Sequence, residues 1–400
     1  MQKPSLIFLF ILIISLNCCT TIAHVEKKSI KTGAEQTEKY LPLLKNKSVA
    51  LVANHTSLIK NTHLLDSLLA LDVNIQKVFS PEHGFRGKAD AGELVHNFID
   101  EKTGVQVVSL YGSNKKPQAE DLQDVDLVIF DLQDVGVRFY TYISTMHYVM
   151  EACAENNIEM LIFDRPNPNG FYVDGPVLEE NHKSFVGMHT VPIVHGMTIA
   201  EYAQMINGER WLANGIQCPL SFILCDNYTH DSLYQLQVAP SPNLPNMQAV
   251  YLYPSLGFFE GTKLNVGRGT DFPFQVFGSP DYIDTTFSYI PRRIDGASKF
   301  PPHEGQRCFG IDLRNYPIEN LIKSKQINMD WLLESYHQTA DTTNFFNLYF
   351  YNISGTKTLK EQIRQGKTET EIRQSWQPEL EKFKKIRSNY LLYQDFKTIK

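Results

Sequence analysis

The residues best suited to acid and base chemistry cluster in one short segment, FSPEHGFRGKADAGE, which spans positions 79–93. Its carboxylates and its imidazole are side chains that transfer protons near neutral pH when their surroundings shift their pKa values. The segment directly follows an apolar run, and its charged or titratable members include Glu82, His83, Arg86, Asp90 and Glu93. Such a cluster at the end of a buried element indicates a catalytic or binding site.

The same arrangement recurs along the first half of the chain, where polar residues follow each of five apolar runs. These polar residues are Asn54 and His55, Glu82 and His83, Tyr111, then Asp131, Gln133 and Asp134, and finally Asp164 and Arg165. A single Asp or Asn after a strand is most often a turn or helix-cap residue. Five strand ends together predict a site, because ligands of open parallel sheets bind outside the carboxyl ends of the strands.

The apolar runs themselves are short and nearly continuous, as expected of strands that are covered on both faces. They span residues 48–54, 75–80, 105–112, 126–132 and 159–164, and candidate helices lie at 62–72 and 142–157. This alternation predicts an open, mostly parallel α/β sheet. The first run is followed by NHTSLIKN and not by a glycine-rich G-x-G-x-x-G, so a dinucleotide is not expected and we predict no cofactor.

The second half has a different composition, which is rich in Pro, Gly, Asn and aromatic residues from about residue 237. Long loops of this kind hold side chains over the rim of a scaffold. Four aromatic residues there either face a ligand or belong to the core: Tyr251, Tyr253, Phe258 and Phe259. Helical patterns at 328–339, 357–365 and 378–393 predict a smaller α/β or α+β domain. The predicted division is a leader at 1–23, a first domain at 24–236 and a second domain at 237–400.

Length, charge and the N-terminus narrow the class of protein. A chain of 400 residues is long enough for two domains, and a net charge of −6 without a long basic run gives no footprint for nucleic acid. Residues 1–23 have the layout of a secretory signal and are too short to span a membrane. Cleavage after Ala23 and acylation at Cys18 or Cys19, as in a lipoprotein with a lipid anchor, both fit this layout. We therefore expect an exported protein, either periplasmic or anchored to a membrane.

A series of motifs resembles, in the same order, the exo-β-N-acetylmuramidase (NamZ-like) family of glycoside hydrolases, long catalogued as a domain of unknown function. The motifs are SPEHGFRGKADAGE, LYG, IFDLQDVGVRFYTYISTM, DRPNPNG, GPVLE, FVGMHTVPIVHGMTIAEYA, SPNLPN and FEGTKLNVGRGTDFPF. The likeness extends from about residue 40 to the C-terminal SWQPELEKFKKIRSNYLLY. It implies a Rossmann-like N-terminal domain, a smaller C-terminal domain and a cleft between them. It also implies removal of N-acetylmuramic acid from the non-reducing end of peptide-free peptidoglycan fragments.

Catalytic roles follow from the needs of glycoside hydrolysis, which are a proton donor for the leaving oxygen and a second group that activates water, attacks, or stabilises the transition state. The resemblance, more than the spacing, implies that Glu82 is the general acid, in a partly desolvated cleft that would raise its pKa. His83 would orient Glu82 or share protons with it, and an ion pair between Glu82 and Arg86 is the structural alternative. Asp131 and Asp134 are the candidates for the second group. Either would polarise the 2-acetamido group of the substrate or act as a base for water.

Recognition of muramic acid requires a cation for its lactyl carboxylate, and the planar fork of Arg suits a carboxylate better than Lys does. Arg138, Arg165 and Arg268 are the candidates. Arg268 is preferred because NVGRGT places it between glycines that permit close approach, although a salt bridge that tethers the loop is the alternative. Further candidates for substrate binding are Asn54, Arg86, Glu93, Tyr111, Tyr140, His195, Asn243, Asn246, Glu260 and Asp271. His195 either reaches the cleft or is buried ahead of a helix that is capped by Thr198 and Glu201.

Two other classes of protein are compatible with these residues. A metal-dependent amidase or deacetylase would use His55, His83, Asp131 and His195 as ligands, but they are widely separated and no H-E-x-x-H spacing is present, so we predict no metal. A cell-wall-binding lipoprotein without catalytic activity is the other class, because a fold does not establish a function. The predicted partner is a peptidoglycan-derived muramyl saccharide, and no oligomeric state is predicted.

Overall fold

The fold is organised around a β-sheet whose strands coincide with the apolar runs. The computed structural model describes residues 29–82, 84–86 and 97–397. The strands are β1 (Val49–Ala53), β2 (Leu58–Ile59), β3 (Thr62–His63), β4 (Ile75–Ser80), β5 (Phe98–Ile99), β6 (Gln106–Ser109), β7 (Leu127–Asp131), β8 (Glu159–Phe163), β9 (Leu220–Ile223), β10 (Val276–Ser279), β11 (Ser288–Tyr289) and β12 (Cys308–Asp312). The α-helices are α1 (Thr37–Leu44), α2 (Leu64–Ala70), α3 (Tyr142–Glu155), α4 (Ile199–Gly208), α5 (Met247–Leu256), α6 (Ile318–Ser324), α7 (Asp330–His337), α8 (Phe350–Ser354), α9 (Thr358–Arg364) and α10 (Glu369–Arg387).

Seven strands of the described residues form one sheet in the order β5-β6-β4-β1-β7-β8-β9. All neighbours pair in parallel except β5, which is antiparallel to β6 at the edge. The parallel strands, numbered along the chain, have the spatial order 3-2-1-4-5-6, which is the order of Rossmann sheets. The predicted Rossmann-like, mostly parallel α/β sheet is therefore confirmed.

Both faces of this sheet are covered, which explains why its strands read as continuous apolar runs. In β1, Ala50 and Val52 belong to one core, whereas Val49, Leu51 and Ala53 belong to the other. All five side chains are fully buried. Because successive side chains of a strand point to opposite faces, a central strand with both faces covered leaves no position for a polar residue before its end.

The predicted strands correspond to β1, β4, β6, β7 and β8, and the predicted helices at 62–72 and 142–157 correspond to α2 and α3. The edge strands β5 and β9 were not predicted. The helix expected at 378–393 is α10, which begins at Glu369 and contains Pro378. Its start is set by Thr368, which accepts a hydrogen bond from the Glu371 N–H while the Glu371 carboxylate accepts one from the Thr368 N–H.

The second half of the chain forms a smaller unit with an antiparallel sheet, β10-β12-β11, together with α5 to α10, as predicted. It is tied to the first sheet by long-range hydrogen bonds. The hydroxyl of Tyr393 donates to Asp164 Oδ2 at 2.6 Å, and Arg138 Nη2 donates to the Ile353 carbonyl at 2.8 Å. One hydrophobic core includes side chains of both halves, such as Val128 and Phe350. A helix with the length and apolar character needed to span a membrane does not occur among the described residues.

Candidate active site

A cleft with a cavity volume of about 190 Å³ lies between the parallel sheet and the second half of the chain. We call it the Glu82 pocket. It is lined by Glu82, Tyr111, Phe139, Tyr140, Thr141, Tyr142, Phe185, Val186, Ser241, Asn243, Leu244, Tyr253, Glu260, Arg268, Phe274 and Tyr349. Six of these are predicted site residues, namely Glu82, Tyr111, Tyr140, Asn243, Glu260 and Arg268. Predicted site residues from both halves of the chain therefore line the same pocket.

Glu82 is presented by the carboxyl end of β4, two residues beyond the last strand residue, and is half-buried. Thr141, just before α3, donates its hydroxyl to Glu82 Oε2 at 3.1 Å. Tyr111, after β6, has a pKa raised above its usual range, first by burial and then by the Glu82 carboxylate. Tyr111 is therefore a protonated hydroxyl beside Glu82 at neutral pH, so neutral donors from two neighbouring elements hold this carboxyl group.

Arg268 and Glu260 form an ion pair on the wall that belongs to the second half of the chain. Arg268 Nε and Nη2 both donate to Glu260 Oε1, at 2.9 and 2.5 Å. Burial alone would lower the pKa of Arg268. The charge and the hydrogen bonds of Glu260 act in the opposite direction, and the pKa is raised overall. The guanidinium also lies 5.3 Å from the centroid of the Phe274 ring, within cation–π range.

The glycines on either side of Arg268 are needed for this approach. Gly267 and Gly269 have φ values of 77° and 80°, a backbone conformation that favours glycine. A Cβ atom on Gly267 would lie 2.8 Å from the Phe272 carbonyl oxygen, and one on Gly269 would lie 2.6 Å from that of Arg292. The backbone around Arg268 is thus packed tightly enough to fix the direction of its side chain.

Asn243 lines the pocket and has an amide oxygen without a hydrogen-bond partner in the described part of the chain. Its Nδ2 donates to the Ala297 carbonyl at 2.8 Å, which fixes the plane of the amide. Its Oδ1 is buried and accepts no hydrogen bond from any of the described residues. A buried acceptor of this kind is costly unless a ligand or water supplies the donor. Asn243 is therefore suited to accept an N–H or O–H of a bound molecule.

Aromatic side chains complete the walls. Tyr140 donates its hydroxyl to the Pro240 carbonyl at 2.8 Å and packs edge-on against Tyr142. Burial, then Glu260 and Glu82, raise the pKa of Tyr349 to about 12. The same three causes raise the pKa of Tyr253 far above its usual range. Glu82 and Glu260 line the same pocket, so both carboxyl groups face a common space.

The structure does not bring Asp131 into the Glu82 pocket. Asp131 is fully buried at the end of β7 and accepts two hydrogen bonds from Arg165, from Nε at 2.6 Å and from Nη2 at 2.8 Å. Burial raises the pKa of Asp131, and the guanidinium opposes that effect. This pair makes Arg165 the internal counter-ion of Asp131, so neither side chain lines the pocket.

Asp134 also lies behind the pocket wall, where it faces His195. Asp134 Oδ2 accepts the Gly136 N–H at 2.6 Å and lies 3.8 Å from His195 Nε2. Burial raises the pKa of Asp134 to about 7 and lowers that of His195 to about 3. His195 Nδ1 accepts the Met197 N–H at 3.2 Å. The structure thus places His195 in the interior, ahead of the helix whose predicted capping box is confirmed.

The other predicted residues occupy structural positions outside the pocket. Arg138 is fully buried and donates to three backbone carbonyls, those of Pro176, Val191 and Ile353. Arg86 pairs with Asp100 at 2.8 and 2.7 Å and with Asp66 at 3.6 Å. Asn246 caps α5, and Asp271 forms an exposed pair with Arg292. Asn54 is one layer behind the wall, since its Nδ2 donates to the hydroxyl of Tyr142 at 2.7 Å.

Some predictions concern residues outside the described ranges. These residues are His83, Glu93 and the whole segment 1–23 with Cys18 and Cys19. Of the ligands considered for a metal, His55 contacts the Ala239 carbonyl through Nε2 at 2.9 Å. A group of three or more His, Cys, Asp or Glu side chains placed to hold a metal ion is not found in the described part of the chain.

Several lining residues were missed by sequence reasoning. Thr141 lies in the motif that also carries Tyr140, so its position one residue before α3 was the available signal. Tyr349 lies within the run FNLYFYN, and nothing in that run distinguishes it from core aromatics. Of the four aromatic residues considered earlier, Tyr253 lines the pocket, whereas Phe258 and Phe259 are fully buried.

Comparisons with known proteins agree with one another over most of the chain. The family model for the N-terminal domain of the exo-β-N-acetylmuramidase NamZ matches residues 49–248, and the model for its C-terminal domain matches residues 251–393. The peptidoglycan β-N-acetylmuramidase NamZ of Bacillus subtilis is 35% identical over 390 residues, which is 92% of each chain. Two crystal structures of DUF1343 family proteins from Bacteroides fragilis are similar. One has a TM-score of 0.86 at 47% identity and covers 92% of this chain and 100% of that one. The other has a TM-score of 0.77 at 28% identity and covers 91% and 99%.

Proposed function

The chain belongs to the exo-β-N-acetylmuramidase NamZ family, and from this premise we propose that it is an exo-acting glycoside hydrolase. In this proposal it releases N-acetylmuramic acid from the non-reducing end of peptidoglycan fragments during cell-wall turnover and recycling. The observation that carries the proposal is the Glu82 pocket, where a half-buried carboxyl group on the parallel sheet faces a fixed guanidinium on the opposite wall.

Glu82 would act as the general acid of the reaction. Protonation of the glycosidic oxygen requires a carboxyl group that is held at the pocket surface and partly removed from water. Glu82 meets both conditions, because it is half-buried and receives the Thr141 hydroxyl at 3.1 Å. Tyr111 also lies beside this carboxyl group. These neutral donors fix the direction of the carboxyl group without adding a charge of their own.

Arg268 would recognise the lactyl carboxylate that distinguishes muramic acid from other amino sugars. Two of its five N–H groups donate to Glu260, and the other three would be available to a bound carboxylate. A guanidinium that is already oriented loses little freedom when it binds a carboxylate in a forked geometry. The Oδ1 atom of Asn243 would accept a hydrogen bond from the 2-acetamido N–H, since it is the buried acceptor that lacks a partner among the described residues of the pocket lining.

The direct test is incubation of the purified protein with the disaccharide N-acetylmuramyl-N-acetylglucosamine, with free N-acetylmuramic acid followed by mass spectrometry. We expect release by the wild-type protein and a loss of at least a hundredfold in Glu82→Gln. Glu319→Gln is the matched control, because Glu319 is an exposed residue of α6 outside the pocket. An intact wild-type protein that releases no sugar from this disaccharide would contradict the proposal.

We also propose that the chain is exported, on the basis of residues 1–23. Cleavage after Ala23 would give a periplasmic protein, and acylation at Cys18 or Cys19 would give a membrane-anchored lipoprotein. The intact mass of the protein isolated from its own cells separates the two forms, because acylation adds the mass of the lipid chains. An N-terminus that still begins with Met1 would contradict export.

A further inference from the structure

Glycosidases of the two-carboxylate type place one acidic group on each side of the scissile bond. Among the described residues, the acidic side chains that line the Glu82 pocket are Glu82 and Glu260. Asp131 and Asp134, which follow the same strand, are directed elsewhere, into contacts with Arg165 and with the Gly136 N–H. The pocket therefore has a second carboxylate, which comes from the other half of the chain.

Glu260 is held rigidly at this position. It lies on a short 3₁₀ helix, Gly257–Gly261, whose two glycines touch neighbouring elements. A Cβ atom on Gly257 would lie 2.3 Å from the ring of Phe139, and one on Gly261 would lie 2.4 Å from the Cα of Phe350. Neither glycine can be replaced without displacement of the segment. Glu260 is thus carried by a backbone that is wedged between the pocket wall and α8.

The contacts of Glu260 leave one oxygen available. Arg268 donates twice to Oε1, whereas Oε2 receives no hydrogen bond within the part of the chain that the structure describes. The side chain is 19% exposed and lines the cleft, so a water molecule can approach it. A carboxylate oxygen that is held in place by its neighbour and has no donor of its own is positioned to accept a proton from a water molecule. This combination is suited to a base and not to a proton donor.

We propose that Glu260 is the second catalytic residue, a general base that activates water on the face of the sugar opposite to Glu82. This inference rests on the proposed function. It assigns a residue to the role of second catalytic group, which the proposed function leaves unassigned. The water oxygen forms a bond to the anomeric carbon as the glycosidic C–O bond breaks. Glu260 takes a proton from that water, and Glu82 gives its proton to the departing oxygen. One water is consumed, the configuration inverts, and the first product is the α-anomer.

Two substrates separate the roles of the carboxylates. The disaccharide N-acetylmuramyl-N-acetylglucosamine needs a proton on its leaving group, and 4-nitrophenyl N-acetyl-β-muramide does not. Glu260→Gln should lose at least a hundredfold in kcat on both substrates, because water must be activated in either case. In the wild type, kcat/KM should fall at low pH as the base is protonated. This fall should be absent in Glu260→Gln. Asp312→Asn is the matched control, since Asp312 is paired with Arg314 in the same half of the chain but outside the pocket, and it should keep wild-type activity.

A second variant distinguishes a catalytic role of Glu260 from a structural role in which Glu260 only positions Arg268. Glu260→Ala supplied with azide should turn over the nitrophenyl substrate and release α-glycosyl azide, because azide needs no base and fills the space of the missing carboxylate. If Glu260 only supported Arg268, its variants would have a higher KM, would keep the fall of kcat/KM at low pH and would form no glycosyl azide. That result would overturn the inference.

The first-formed product of the wild-type protein, observed by NMR, gives an independent check. A β-anomer would overturn the assignment of a base, because it would indicate two successive displacements, through either a glycosyl-enzyme or the 2-acetamido group of the substrate. Wild-type release of muramic acid together with an active Glu260→Gln would reject this inference alone. An inactive wild type would reject the proposed function, and the inference would fall with it.

Discussion

Replacement of Glu82 by Gln tests the central chemical assignment, because it removes a transferable proton and little else. In the wild-type protein the Thr141 hydroxyl lies 3.1 Å from Glu82 Oε2. The Gln side chain has the same length and still offers an oxygen to that hydroxyl. We therefore expect the free energy of unfolding to change by no more than about 1 kcal/mol, the net value of one hydrogen bond. General acid catalysis contributes about 10²- to 10⁴-fold to the rate. That range corresponds to about 2.7–5.4 kcal/mol of transition-state stabilisation at 1.36 kcal/mol for each factor of ten.

The assay compares kcat/KM for the two leaving groups in the wild type, in Glu82→Gln and in the control Glu319→Gln. On the disaccharide, the loss in Glu82→Gln should be about 10²- to 10⁴-fold. On the nitrophenyl glycoside, whose leaving group departs as a stable anion, the loss should be below about tenfold, because no general acid is needed. An equally large loss on both substrates would refute the reasoning, since it would place Glu82 in a role other than proton donation.

Three further predictions concern charged groups. Arg268→Ala should raise KM for muramyl substrates about 10- to 100-fold, which corresponds to the loss of a charged hydrogen bond. The rise should be smaller in Arg268→Lys, and KM should not rise for an analogue without the lactyl group. An unchanged KM in steady-state kinetics would remove Arg268 from the site. Arg165→Ala should lower the free energy of unfolding by about 3–5 kcal/mol in urea titrations, because it leaves Asp131 buried and unpaired, whereas Arg292→Ala at an exposed pair should cost below about 1 kcal/mol; equal effects would contradict this. Burial raises the pKa of Asp134 to about 7, so the folded state holds its proton more tightly than the unfolded state, and the contribution of Asp134 to stability falls as the pH rises from about 4 to 7. Asp134→Asn should therefore gain stability over the wild type across this interval, by up to about 4 kcal/mol, and a difference that does not depend on pH in urea titrations would refute the assignment.

The sheet could be predicted from the sequence because burial on both faces leaves a strong local signal. Residues 127–130, for example, are all apolar, and the polar Asp131 appears where β7 ends. The edge strands gave no such signal. Strand β5 has only the two residues Phe98 and Ile99, and β9 has only four, Leu220–Ile223, so their apolar runs are too short to distinguish a strand.

The site could be predicted only in part, since a strand end determines where a residue emerges but not where its side chain turns. Glu82 and Asp131 both follow parallel strands, yet Glu82 faces the pocket and Asp131 turns to Arg165. Arg165 is 34 residues away in sequence, on the end of the next strand. That pairing depends on the strand order, which periodicity does not reveal. The sequence likewise makes Glu260 a candidate for substrate binding only, and its place across the pocket from Glu82 becomes visible only when the two halves are packed together.

The location of the pocket follows from which part of the sheet edge the chain leaves open. In the 3-2-1-4-5-6 order, the winding reverses between β1 and β7, and ligands commonly bind at that point. Here the segment 234–238 packs against Thr56, Gln133 and Arg165 and leaves a cavity of only about 10 Å³. The open edge is displaced to β4 and β6, where Glu82 and Tyr111 emerge. The second half of the chain covers this displaced edge with Glu260 and Arg268, so the carboxyl groups that we assign to catalysis meet only because the usual crevice is filled.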